Sequence, residues 1–150
     1  MTSATFPAAT TQPVDTVTKK ASTQTRCTEI LQRLLQEQPA VGNAVMATVD
    51  GRAYASGNPN QEVAKAPRVA AITSSLLGLA ESFSRESLQS TASYNSIATE
   101  HGTIVLVRVP SNHKTHALCL WTDRSETFAM TLRHALDTAS KLAAVLDDGA

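Results

Sequence analysis

Apolar positions along the chain repeat with two spacings. In residues 25–38, Cys27, Ile30, Leu31, Leu34 and Leu35 fall at three- and four-residue steps. They share one face, which predicts an amphipathic helix. Pro39 and Gly42 end it. Residues 44–49 run almost without polar interruption, the pattern of a strand covered on both faces. Asp50-Gly51 predicts a two-residue hairpin turn, because both turn positions favour positive φ. Residues 52–56 return as a shorter, weaker strand. A second helix is expected from Ala66 or Pro67, where proline fits a first turn, to about Glu86. Residues 92–100 read as a mostly polar strand, His101-Gly102 as a tight turn, and residues 103–109 as a β-branched strand. Residues 116–121 form the last strand. Asp123 to Glu126 have capping-box spacing, with Asp123 at the cap. The helix they open has a buried stripe read as Phe128, Leu132, Leu136, Ala139, Leu142, Ala143 and Leu146.

The predicted order is α-β-β-α-β-β-β-α. The apolar runs 44–49, 103–107 and 117–121 belong at the centre of a sheet, and the more polar 52–56 and 92–99 at its edges. Short links between strands favour antiparallel pairing. The expected fold class is therefore α/β: a five-stranded antiparallel sheet between helices, one helix on one face and two on the other. Residues 1–22 are Thr, Ala, Gln and Pro with few large apolar groups. They are expected to form a disordered tail, leaving residues 23–148 as one domain.

The second helix carries an unusual surface. At about 100° per residue, Val69, Ile72, Leu76, Leu79, Ala80 and Phe83 cluster and are read as facing the sheet. Ala71, Ser75, Gly78 and Ser82 lie opposite, with Ser74 adjoining and Arg68, Glu81, Arg85 and Glu86 at the fringe. Gly78 alone costs a helix about 1 kcal/mol relative to Ala. Small residues let another backbone approach closely, so this strip is expected to meet a partner. The competing reading is an ordinary surface of small residues. The edge strand points the same way: no Pro, Lys or Glu guards residues 92–99, and an open edge is a template for pairing with another chain. A twofold pair uses one patch on both copies. A short edge protected by twist or by the tail is the alternative.

Composition narrows the function classes. Lys plus Arg and Asp plus Glu number 13 each, a balance that gives no support to nucleic-acid binding. No apolar run reaches the roughly 20 residues of a membrane span. Without a secretory signal pattern, a cytoplasmic location is expected. Cys27 and Cys119 sit in apolar surroundings without a C-x-x-C and read as buried, reduced thiols. There is no G-x-x-x-x-G-K-[ST], so the chain is not expected to be a GTPase itself. His113 and His116 lie near Cys119, but His116 and Cys119 point to opposite faces of a strand, which argues against a metal site. His101 and His134 belong to no nucleophile motif. No catalytic residue, cofactor or metal is expected.

Several segments in combination resemble the roadblock/dynein light-chain domain family: "AVMATVDGRAYASG", "KAPRVAAITSSLLGLAESFSRE", "SIATEHGTIVLVRV" and "HALCLWTD" with its closing helix. The resemblance covers about residues 25–148. It implies homodimers or heterodimers with a shared sheet and paired second helices. Bacterial, MglB-like members of the family regulate a Ras-like small GTPase; other relatives are light chains or scaffold subunits without effect on nucleotide hydrolysis. By position, the resemblance implies dimer contacts at Ala71, Ser75, Gly78 and Ser82 and at Tyr94, Asn95, Ser96 and Ile97. It implies GTPase contacts at Arg68, Ser74 and Arg85. The expected protein is a non-enzymatic dimeric regulator.

Overall fold

The computed structural model describes residues 14–61 and 65–149. Its elements are α1 (Val14–Glu37), β1 (Val41–Thr48), β2 (Ala53–Ser56), α2 (Ala66–Leu88), β3 (Asn95–Thr99), β4 (Gly102–Arg108), β5 (His116–Asp123) and α3 (Phe128–Asp148). The strands form one antiparallel sheet in the order β2-β1-β5-β4-β3. The three apolar strands are central and the two polar ones lie at the edges, as their patterns require.

Alternation along the central strands splits the core into two layers. Ala44 and Met46 of β1, Val105 and Val107 of β4, and Leu118 and Leu120 of β5 meet Cys27 and Leu31 of α1 and Leu142 of α3. The intervening Val45, Ala47, Leu106, Ala117 and Cys119 face Ala70 and Leu77 of α2. One helix covers one face and two cover the other. Gly51, at φ 91°, makes the β1–β2 turn. At Gly102 a Cβ would collide with the Thr122 carbonyl oxygen, where β4 meets β5.

Four local expectations need correction. The first helix begins at Val14, not near residue 25, so residues 14–22 are helical where a tail was expected; residues 1–13 of that tail lie outside the described residues. Extending a helix already nucleated and packed at 27–35 adds one hydrogen bond per residue, far easier than starting one. Second, the cap of α3 is Thr127, whose hydroxyl accepts from the Met130 N–H. Asp123 instead accepts from the Ser125 N–H at 2.8 Å and from the Ser125 hydroxyl.

The other two corrections concern how the helices are rotated. In α2 the sheet-facing line is Ala70, Thr73 and Leu77. Ile72, Leu79 and Phe83, assigned to the core, are exposed, at 67% for Leu79 and 74% for Phe83. In α3 the buried line includes Thr131, His134, Ala135 and Thr138, while Phe128 and Leu136 are exposed. Polar residues occupy these inner positions because some find partners there: Thr131 and Thr122 share a buried hydroxyl contact of 2.7 Å, and His134 Nε2 lies 3.1 Å from Glu126 Oε2.

A buried amide ties down the loop after β2. Asn43 is 1% exposed. Its Oδ1 accepts from the Ala44 and Asn58 N–H groups at 2.8 and 3.0 Å. Its Nδ2 donates to the Asn58 carbonyl and to Gln61 Oε1 at 3.1 and 2.9 Å.

Candidate docking surface

Strand β3 pairs with β4 alone, leaving its other side unpaired. The ladder runs from Thr99↔Gly102 at the two-residue turn to Asn95↔Leu106. Counting the alternation of an antiparallel ladder from that turn, the backbone groups of Ser96 and Ala98 point to the free edge. No residue of Asn95–Thr99 is charged, so nothing repels an incoming strand.

Large apolar side chains gather on both faces of this edge. On the α2 side, Ile97 joins Val69, Ile72, Leu76 and Ile104 around an almost wholly apolar groove of about 340 Å³. The Asn95 side-chain amide donates to the Leu76 carbonyl at 3.3 Å, fixing the start of β3 beneath the helix. Leu79 and Phe83 continue the exposed line along α2, since steps of three and four stay on one side of a helix. On the α3 side, Tyr94 packs on Phe128 with ring centroids 6.2 Å apart. Leu136, two turns further along α3, is also exposed. Both helices therefore turn apolar residues toward the same bare edge.

The small-residue strip lies elsewhere. Ala71, Ser75, Gly78 and Ser82 are exposed, and a Cβ at Gly78 would touch nothing within 4 Å. At Ala71 and the adjoining Ser74 the helix meets the β1–β2 hairpin: a Cβ at Gly51 would lie 3.6 Å from Ala71 Cα, and the Ser74 hydroxyl donates to the Val49 carbonyl at 2.6 Å. Ala71 thus sits on the hairpin side of α2, away from the β3 edge, whereas Ser75, three and four residues from Ile72 and Leu79, borders the exposed apolar line. Tyr94, Asn95, Ser96 and Ile97 do lie together at the edge, with Tyr94 and Ile97 on its opposite faces.

Charge is sparse around the groove. Glu81 accepts from Arg108 Nε at 2.5 Å and pairs with Arg85 at 3.6 Å. The Arg108 hydrogen bond holds the Glu81 carboxyl below its ordinary range. Arg85 is accordingly engaged, whereas Arg68 is exposed and makes no ion pair among the described residues. His116 sits edge-on to Tyr54 at 4.5 Å, and burial lowers its pKa. Cys119 is buried on the α2 face. Among the described residues no three His, Cys, Asp or Glu side chains converge on a metal position, and no helix is long and apolar enough to cross a membrane.

Sequence reasoning missed Ile72, Leu79, Phe83, Phe128 and Leu136 as surface residues. A signal was present: Ala70, Thr73 and Leu77 form a second apolar line, so the apolar arc of α2 is wider than a sheet face needs.

No known family model matches the chain, and no curated protein does. Solved structures do match its fold. Myxococcus xanthus MglB superposes with a TM-score of 0.73 over 85% of this chain and 92% of that one, at 9% identity. A structure of MglB with a tetrameric arrangement gives 0.71 over 86% and 93%, at 15% identity. The Roadblock/LC7 domain from Streptomyces avermitilis gives 0.68 over 79% and 96%, at 16% identity. The chain has the fold of these structures.

Proposed function

We propose that this protein is a non-catalytic regulatory module that works as a dimer and binds a Ras-like small GTPase. One observation carries the dimer: an unpaired, uncharged strand edge with exposed large apolar residues on both faces. A second copy related by a twofold axis beside β3 would pair its strand with the free groups of Ser96 and Ala98. The same axis would bring Ile72, Leu79 and Phe83 of the two α2 helices together and close the groove. A contiguous apolar surface of this kind is uncommon on a chain that works alone.

Tyr94, Asn95, Ser96 and Ile97 keep the seam role that the resemblance implied. Ala71, Ser75, Gly78 and Ser82 take a different one. On this arrangement they remain open on top of the paired helices, beside Arg68, and form the surface offered to the GTPase. Ser74 and Arg85 contribute less, because each is already bonded within its own chain. The GTPase assignment rests on the family resemblance; the fold shared with MglB is in keeping with it.

Sedimentation of the purified chain tests the first half, with an expected mass of twice 15.9 kDa. A monomer at all concentrations overturns it. For the second half, the chain is mixed with a Ras-like GTPase encoded beside its gene, loaded with GDP or a non-hydrolysable GTP analogue. Nucleotide-dependent affinity or a changed hydrolysis rate is expected. A dimer that ignores the nucleotide and joins a larger assembly instead is the light-chain or scaffold alternative, and the Roadblock/LC7 likeness is what favours that reading next.

A further inference from the structure

We propose a small-molecule site in the other helical layer: the groove between α1 and α3 binds a zwitterion whose carboxylate and ammonium are separated by a short chain. The groove measures about 210 Å³, room for a molecule of roughly ten non-hydrogen atoms.

Its charged rim has a specific order. Arg26 of α1 pairs with Asp148 of α3 at 3.6 Å, a contact that marks the antiparallel register of the two helices. Seven residues inward from that pair, two helical turns, Arg33 stands opposite Lys141. Eleven residues inward, three turns, Glu37 stands opposite Asp137. All four line the groove. Two cations thus face each other at one end and two carboxylates at the other, about 6 Å along the helix axes. Like charges facing across a groove repel until something of opposite sign lies between them. Among the described residues Arg33, Glu37 and Lys141 have no ion-pair partner; Asp137 has only the exposed Arg133, at 3.7 Å.

The floor of the groove is polar. His134 and Thr138 border it and are 8% and 4% exposed. Glu126 accepts from His134 Nε2, so in the uncharged ring Nδ1 is an acceptor. Neither Nδ1 nor the Thr138 hydroxyl has a protein partner among the described residues. Both atoms are open to the groove and free to accept from an ammonium hydrogen. Ile30 and Leu34 give the apolar wall for the connecting methylenes. The carboxylate then lies between Arg33 and Lys141, and the ammonium between Glu37 and Asp137 above His134.

The test is an amide NMR titration of the full chain with glycine, β-alanine, γ-aminobutyrate and 5-aminovalerate, each to about 10 mM, with butyrate and butylamine as single-charge controls. Saturable shifts are expected in residues 33–38 and 134–141, stronger for the two longer zwitterions than for glycine. Arg33→Gln, an exposed change, and Thr138→Val, a change of shape-matched side chain, should each weaken binding about tenfold or more, with the rest of the spectrum unmoved. The proposal is overturned if no zwitterion gives a saturable shift, if butyrate alone matches γ-aminobutyrate, or if Arg33→Gln binds as before. None of these outcomes depends on the β3 edge, so the site and the dimer stand or fall separately.

Discussion

Replacing Phe83 by Ser separates an interface residue from a core residue. Full burial of a phenylalanine side chain contributes about 1.5–3 kcal/mol. Phe83 is 74% exposed in a single copy, so about three-quarters of that, roughly 1–2 kcal/mol, is still to be gained when a partner covers it. A twofold seam contains the residue twice, which makes roughly 2–4 kcal/mol per dimer. At about 1.4 kcal/mol per factor of ten, the dissociation constant of the Phe83→Ser dimer should rise roughly 30- to 1000-fold. The isolated fold should lose only about 0.5 kcal/mol, from the quarter already covered. Sedimentation velocity over a dilution series from about 0.1 to 100 µM reads the constant directly. The control is Leu77→Ser on the same helix, 4% exposed, which should cost about 3 kcal/mol or more of folding stability. If Phe83→Ser dimerises like the wild type, the exposed line on α2 is not the seam. If it melts as early as Leu77→Ser, Phe83 belongs to the core of one copy and the rotation assigned to α2 is wrong.

Four further outcomes follow from the same structure. Gly78→Arg, on the face of α2 turned away from Ile72 and Leu79, should leave the solution mass unchanged and weaken GTPase binding; a split dimer would return the small-residue strip to the seam. Gly78→Ala meets nothing within 4 Å and removes the helix cost of glycine. A gain of about 1 kcal/mol is expected, seen as a rise of about 2–4 °C in the melting midpoint. Asn43→Ala strips partners from the Ala44 and Asn58 N–H groups and the Asn58 carbonyl. It should cost about 2–3 kcal/mol in urea unfolding and expose residues 57–61 to proteolysis. Burial pushes both thiols up from 9.0 to about 11, against a smaller downward pull from Arg26 on Cys27 and from Thr73 on Cys119. A raised acid pKa favours the protonated form in the folded state, so stability is intact below 9.0 and falls as pH climbs toward 11. The loss is about 2–3 kcal/mol per thiol. Urea midpoints at pH 8 and 10.5 check it, and alkylation at pH 8 should proceed only on unfolding.

Element order, the division into central and edge strands and the layer arrangement were legible along the chain because they depend on local periodicity; the β1–β5 pairing at the centre was not. The runs at 44–49, 103–107 and 117–121 lack polar breaks, and only a strand covered above and below tolerates that. Asp50-Gly51 and His101-Gly102 marked two hairpins, although each turn is shifted: the first spans Val49–Gly51, with positive φ at Gly51 alone, and the second is Glu100-His101, with Gly102 already paired to Thr99. The open edge was also legible, from the absence of charge and proline in residues 95–99.

Helix rotation was legible only in part: Cys27 and Leu31 of α1 and Ala139, Leu142 and Ala143 of α3 are buried as their stripes predict, but α2 and the start of α3 are turned from the expected face. A helical wheel ranks faces by apolar content, and in α2 the richest face, Ile72, Leu79 and Phe83, is not the one on the sheet. The sheet takes Ala70, Thr73 and Leu77 instead, a line in which Ala70 and Thr73 are small enough for the helix to lie close, and leaves Ile72, Leu79 and Phe83 projecting toward β3. In α3 the buried Thr131 and His134 are acceptable inside only because Thr122 and Glu126 meet them across the fold, partners that no local pattern announces. Sequence periodicity therefore determined which segments are helices and strands and how they stack. Only the tertiary structure decided which apolar residues are satisfied within one copy and which remain to be covered, because that depends on where the sheet ends, and an edge is a property of the assembled sheet rather than of any strand within it.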